Sequence, residues 1–139
     1  MPFAVAVLDE VGYAGLDEGR AAHLFAAAFS RMGIDLGRVG EVSVALVDPD
    51  TIWDLNSRFR DKDEPTDVLS FEVDGPYGEM VGEVVVCPGC ARPEMGVEEL
   101  VVHGALHLVG MDHGEDFEGG EMALVQEAVM EEVRGDEEG

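Results

Sequence analysis

The feature that most constrains this chain is a stretch, residues 97–109, in which apolar side chains occur on almost every side of a helix. A surface helix has one apolar face, whereas a helix that is apolar nearly all round is buried. The fold must therefore cover this helix on most sides. Its two histidines, His103 and His107, are expected in or beside the core.

Three of the four histidines lie on this helix or just after it, at His103, His107 and His113. Residues four apart project from one face of a helix, one turn apart. Gly110 is placed to end the helix in a left-handed conformation, and a returning loop would bring His113 to the same point. Three imidazole nitrogens with a fourth position open to water suit a zinc site. The alternative is that each histidine has an ordinary hydrogen-bond partner and no metal binds.

The residue after the first histidine bears on the kind of chemistry. In the metalloprotease pattern H-E-x-x-H it is the glutamate that acts as general base. Here it is Gly104, which cannot act as a base, although it is expected to leave room beside the metal. The sequence therefore disfavours a peptidase of that kind. A hydrolase whose metal lowers the pKa of bound water stays open.

Hydrophobic periodicity predicts an α+β fold: a small mixed sheet of about four strands, at least partly antiparallel, with helices packed on it. The predicted strands are residues 3–8, 41–47, 67–73 and 80–86, the last two forming a hairpin. The predicted helices are residues 16–32, 51–57 (capped by Asp50), 97–109 and 120–134. The expectation is a single domain over residues 1–139, with a disordered tail at 135–139.

Composition narrows the class of protein. No apolar run approaches the roughly 18 residues that span a bilayer, and the first ten residues lack a basic leader, so a cytoplasmic location is expected. The chain carries 31 acidic and 8 basic residues, a formal net charge of −23. Such a surface repels polyanions and, taken alone, argues against a nucleic-acid partner. Three of the basic residues, however, form one cluster: Arg58, Arg60 and Lys62.

The basic cluster belongs to a segment just before a predicted strand. An arginine beside an aromatic can hold a phosphate with two hydrogen bonds while the ring packs on the core or a base, and here Phe59 lies between Arg58 and Arg60. The alternative is a solvated turn whose basic residues pair with neighbouring carboxylates. Thr66 and Ser70 are expected to be structural rather than nucleophilic.

The two cysteines form a C-x-x-C pair, Cys87 and Cys90. Such a pair can be a redox motif or half of a zinc site, but the chain has no further thiols for a four-cysteine site. The simpler interpretation is two small residues around a turn at a strand end.

Together, N-x-x-[FY]-R-x-x-[DN]-x-P-T-[DN]-V-L-S-F, starting at Asn56, and H-G-x-L-H-L-x-G-[YM]-D-H, starting at His103, resemble the bacterial YbeY family of endoribonucleases and rRNA maturation factors. The resemblance covers roughly residues 42–133. It implies that His103, His107 and His113 bind one zinc ion and that Arg60 is the catalytic arginine. Arg58 and Lys62 would help to hold the RNA backbone.

The resemblance also implies a biological role. It is that of a single-strand-specific endoribonuclease in 16S rRNA 3′-end maturation, ribosome biogenesis and ribosome quality control. The implied partners are single-stranded rRNA, the small ribosomal subunit, ribosomal protein S11 and the GTPase Era. One departure from the family is a shortened segment, residues 88–96, before the histidine helix.

Two other classes stay open at the level of the sequence. One is a metallohydrolase acting on a different substrate, such as a peptide or a small ester. The other is a non-catalytic ribosome-assembly factor whose zinc is structural, with Asp112 or Cys90 as the fourth ligand.

Overall fold

Strands and helices cover most of the chain. A computed structural model describes residues 3–91, 95–111 and 120–138; for residues 136–138 it describes the backbone alone. The helices are α1 (Glu18–Arg31), α2 (Pro49–Arg60), α3 (Val97–Leu108) and α4 (Glu121–Glu138). The strands are β1 (Ala4–Asp9), β2 (Val39–Leu46), β3 (Val68–Asp74) and β4 (Met80–Val86). Within the described residues, no helix is both long and apolar enough to cross a membrane.

The four strands form one mixed sheet in the order β1-β2-β4-β3. β1 and β4 both run parallel to β2, whereas β3 pairs antiparallel with β4 and forms an edge. The α+β class, the mixed sheet and the β3–β4 hairpin predicted from the sequence are thus confirmed. Because β3 is an edge strand, one side of its backbone faces away from the ladder and is open to other partners.

Successive side chains of a strand face opposite sides of the sheet, and both sides are covered. On one side, Val44 and Val84 belong to the larger core, to which α1, α3 and α4 contribute their buried side chains. On the other side, Ala45 and Val85 pack with Ile52 of α2 in a smaller cluster. Helix α3 is buried along almost its whole length, as its composition predicts.

Helix α2 differs from its prediction at both ends. It begins at Pro49 rather than Thr51, and its cap is Asp48 rather than Asp50: the Asp48 carboxylate accepts a hydrogen bond from the Thr51 backbone N–H at 2.8 Å. That bond lowers the pKa of Asp48. Proline is compatible with the first turn of a helix, where its missing N–H is not needed, so it does not delay the start.

The other end of α2 matters more for function. The helix continues to Arg60, and Asp61 follows it with φ 57°, in the left-handed region. The helix therefore extends beyond its predicted end at residue 57, and Arg60 belongs to its last turn. Helix α4 likewise runs to Glu138, through Gly135 and the segment expected to be a disordered tail.

Candidate metal centre and adjoining arginine

The two histidines of α3 face each other one turn apart. Their Nε2 atoms lie 3.2 Å apart and their ring centroids 4.8 Å apart. His103 is 7% exposed and His107 is partly buried. Nitrogens bound to a tetrahedral zinc at about 2.0–2.1 Å lie roughly 3.3–3.4 Å from each other. The spacing of the pair, and its two neutral nitrogen donors, therefore fit a zinc ion.

The remaining ring nitrogen of His103 is held by another helix. Its Nδ1 lies 2.9 Å from the side-chain oxygen of Gln126, a buried residue of α4. An amide oxygen only accepts hydrogen bonds, so Nδ1 is the donor and carries the hydrogen. The lone pair of the ring is then on Nε2, the atom that faces His107.

Helix α3 ends as its glycine predicts. Gly110 has φ 94°, its N–H donates to the His107 carbonyl, and the Met111 N–H donates to the Leu106 carbonyl. This pair of bonds turns the chain back after the helix. His113, the third predicted ligand, and Asp112 lie outside the described residues. Within residues 3–91, 95–111 and 120–135, no group of three potential ligand residues is found.

Gly104 has a role in packing. A Cβ built on it would lie 2.5 Å from Cγ1 of Val84 on β4 and 3.0 Å from Oγ of Ser70 on β3. The position thus faces the sheet, and the glycine allows α3 to approach it closely. The space that a side chain would take at Gly104 is filled by strand side chains; that the glycine also leaves room beside a metal stays a prediction.

Gly104→Ala is therefore expected to destabilise the protein. Overpacking a core costs typically 1–3 kcal/mol, and the helix-propensity gain of alanine offsets roughly 1 kcal/mol of this. We expect a net loss of up to about 2 kcal/mol in the free energy of unfolding, measured by urea denaturation.

The matched control for this change is Gly135→Ala on α4, where a Cβ meets nothing within 4 Å. There only the propensity term operates, so this variant should be as stable as the wild type or slightly more stable. If Gly104→Ala behaves like Gly135→Ala, close packing does not explain the glycine.

Arg60 lies at the end of α2, against the edge strand. Its Nη2 atom donates a hydrogen bond to the Ser70 carbonyl, and its guanidinium carbon lies 5.1 Å from the centre of the Phe71 ring. Phe59 packs edge-on against the same ring, with centroids 5.5 Å apart. Among the described residues, no carboxylate pairs with this guanidinium, and the side chain is exposed.

Ser70 connects the arginine to the histidine helix. Its backbone carbonyl accepts from Arg60, while its Oγ donates to the Gly104 carbonyl at 2.9 Å. Gly104 belongs to the helical turn between the two histidines. The prediction that Ser70 is structural agrees with these bonds, and they bring the two sequence motifs together on one strand.

The other members of the basic cluster are placed differently. Arg58 pairs with Asp54 one turn earlier on α2, with an N–O distance of 3.0 Å, and both side chains are largely exposed. Lys62 lies just after the helix, its side chain exposed. Only Arg60 is held against the sheet.

The cysteines form a turn at a strand end, as the simpler interpretation predicts. A 3₁₀ turn, Pro88–Cys90, follows β4, and both thiols are free, with sulfur atoms 2.9 Å apart. They pack in the cluster under α2, on the side of the sheet opposite α3. This placement argues against Cys90 as a fourth ligand for a metal held by the histidines.

Burial, and to a lesser extent the neighbouring Cys90 thiol, raises the pKa of Cys87 to about 11. Because the thiolate is the reactive form, Cys87 should remain protonated and react slowly with iodoacetamide at neutral pH. The rate should increase as the pH approaches 11, as measured by mass spectrometry of the Cys87 peptide. Urea-unfolded protein, in which both cysteines should react readily, is the control. Rapid modification of native Cys87 at neutral pH would contradict this assignment.

Two contributors to the site are absent from the sequence prediction, Gln126 and Phe71. Gln126 is a lone polar residue on the apolar stripe of a helix, and that interruption is the one signal it leaves in the sequence. Phe71 reads simply as a strand residue, because its contact with Arg60 depends on how α2 packs.

The described fold and site define an α+β protein in which a buried helix with paired histidines and a surface helix ending in arginine meet on one edge strand. A family model described as endoribonuclease YbeY matches residues 16–134. The chain belongs to this family, whose name marks it as one of nuclease hydrolases, and the resemblance found in the sequence is confirmed.

Individual proteins of this name are similar to the chain over most of its length. The chain is 67% identical over 136 residues to endoribonuclease YbeY of Rubrobacter xylanophilus, covering 97% of this chain and 99% of that protein. It is 34% identical to the protein of the same name from Mycolicibacterium paratuberculosis, covering 88% and 81%. Among solved structures, it is similar to the solution structure of TM1509 from Thermotoga maritima, with a TM-score of 0.54, 31% identity and coverage of 95% and 90%.

Proposed function

We propose that this chain is a zinc-dependent, single-strand-specific endoribonuclease. The observation that carries the proposal is the connection through Ser70. The same residue binds the guanidinium of Arg60 and the helical turn between His103 and His107. A group suited to binding phosphate and a pair of nitrogens suited to binding a metal are thus both connected to one strand.

The residues that would hold the metal are His103, His107 and His113. When bound, zinc would supply a Lewis acid for the cleavage of a phosphodiester. The protein contributes a rigid frame for the first two ligands, because both belong to a buried helix and one is fixed by a second helix. Fixing the ligands in advance reduces what must be reorganised when metal and substrate bind.

Arg60 would bind the phosphate whose bond is cleaved. One of its N–H groups donates to the Ser70 carbonyl, and the remaining donors are available to a phosphodiester. The fixed positive charge would stabilise the additional negative charge of the transition state. Phe71 supports the guanidinium from one side through a cation–π contact. Arg58 and Lys62, on the exposed surface beside it, would contact neighbouring phosphates of the backbone.

A net charge of −23 opposes RNA binding at long range. The absence of a carboxylate paired with Arg60 among the described residues means that phosphate need not displace an internal ion pair there. We propose 16S rRNA as the substrate, with roles in 3′-end maturation, ribosome biogenesis and ribosome quality control in the cytoplasm. The small ribosomal subunit, ribosomal protein S11 and the GTPase Era are the proposed partners.

The peptidase alternative loses support from the structure. A side chain at position 104 would meet Val84 and Ser70 of the sheet. A glutamate at this position, where H-E-x-x-H enzymes carry their general base, would therefore be crowded by the sheet.

The test is a cleavage assay on a fluorescently labelled single-stranded fragment from the 3′ end of 16S rRNA, with the same fragment annealed to its complement for comparison. Zinc-loaded protein should cleave the single strand and leave the duplex intact. Chelation should stop cleavage, and added zinc should restore it. Zinc-loaded, folded protein that leaves the single strand intact would contradict the nuclease proposal and favour a structural zinc.

A further inference from the structure

Outside both sequence motifs, α4 contributes a buried polar side chain to the histidine pair. We propose that Gln126 is a positioning residue of the metal site, which selects the tautomer of His103 that presents Nε2 to the metal. The inference rests on the zinc site proposed above. It adds to that site a residue from a helix outside the histidine motif.

The hydrogen bond with His103 accounts for the buried position of Gln126. It is 6% exposed and lies among the apolar residues Met122, Val129 and Met130 on the inner side of α4. Burying an amide without a partner costs roughly 1–3 kcal/mol. Its oxygen meets Nδ1 of His103 at 2.9 Å, so the two buried polar groups satisfy each other.

The hydrogen bond determines which nitrogen can bind a cation. A neutral imidazole has one N–H and one lone pair. With the N–H on Nδ1, the lone pair of His103 is on Nε2, which lies 3.2 Å from Nε2 of His107. In the other tautomer, the amide oxygen would face a lone pair of Nδ1, and the hydrogen on Nε2 would occupy the place of the metal. With its oxygen turned to Nδ1, as in this structure, Gln126 favours the tautomer that can bind the metal.

Two substitutions distinguish a purely structural role of Gln126 from a role in positioning His103. Gln126→Glu retains an oxygen that accepts from Nδ1, as in the carboxylate–histidine–zinc arrangements of other metalloproteins. Gln126→Met has a similar length and no oxygen. Loss of such a partner typically weakens metal binding by 10–100-fold. We expect that loss for Gln126→Met and affinity close to that of the wild type for Gln126→Glu.

The experiment measures zinc affinity by competition with a chromophoric chelator, and the tautomer of His103 by ¹⁵N-detected NMR of the zinc-free wild type. The proposal is supported if His103 of the wild type carries its hydrogen on Nδ1, and if zinc affinity falls in Gln126→Met and is retained in Gln126→Glu. The Nε2–H form in the wild type overturns it without need of any variant. Affinity of a folded Gln126→Met within about twofold of the wild type also overturns it.

These outcomes are distinct from failure of the proposed function. If the wild type binds zinc and the variants differ as expected, but no RNA is cleaved, Gln126 keeps its role and the nuclease proposal fails. If Gln126→Met binds zinc as well as the wild type and RNA is cleaved, only the role of Gln126 fails. A wild type that binds no zinc overturns both.

Discussion

Replacing Arg60 with alanine is expected to reduce cleavage of single-stranded rRNA by on the order of 10³-fold, the range seen when a single transition-state charge donor is removed. Zinc content and melting temperature should hardly change. The Arg60 side chain is exposed, and it contributes one hydrogen bond and one ring contact to the fold. Exposed contacts of this kind are worth about 1 kcal/mol or less. The measurement is the single-turnover cleavage rate, with zinc content and thermal unfolding followed in parallel.

Two control variants sharpen this result. Arg31→Ala removes an exposed arginine from the last turn of α1 and changes net charge equally, so it should cleave at the wild-type rate. Arg60→Lys retains the charge but not the fork of donors, and should recover only part of the activity. If Arg60→Ala retains wild-type cleavage, Arg60 is not the catalytic arginine. If Arg31→Ala is equally impaired, overall charge rather than the site governs the reaction.

Replacing His107 with alanine is expected to abolish tight zinc binding. Wild-type protein should carry about one zinc per chain, and the variant should lose it on desalting, because one of the paired nitrogens is removed. Added zinc should raise the melting temperature of metal-free wild-type protein, since a ligand that binds only the folded state stabilises it. The melting temperature of the variant should not respond. Elemental analysis and thermal unfolding are the measurements.

The matched control is His23→Ala. This histidine lies on α1, outside the histidine motif of residues 103–113, so the variant should retain its zinc and its response to added metal. Wild-type protein that is folded but free of zinc, and unaffected by its addition, would eliminate the metal site. Zinc retained by His107→Ala would show that the metal is held elsewhere.

Most helices and strands of this fold are predictable, because they follow from the order of apolar and polar residues within a single element. The apolar stripe of α1, the alternation of β2 and the continuous apolarity of residues 97–109 each reflect contacts that repeat along one element. The glycine end of α3 is predictable for the same reason, since the bonds that close it join residues at most five positions apart.

The errors have a different origin. The sequence does not decide where α2 starts, because Asp48 and Asp50 are both suitable caps and a proline fits either outside the helix or at its first position. The packing role of Gly104 is not visible in the sequence, where the glycine is notable only for its place next to His103. In the fold, the position faces a different layer, and Val84 occupies the space beside it.

By itself, then, the sequence determined the strands, the helices and the placement of two histidines on one face of a buried helix, because hydrophobic periodicity and helix geometry act over a few residues. Only the tertiary structure decided what surrounds them. The Ser70–Gly104 and His103–Gln126 bonds join residues 34 and 23 positions apart. Such contacts depend on how all the layers pack together, and no local pattern encodes them.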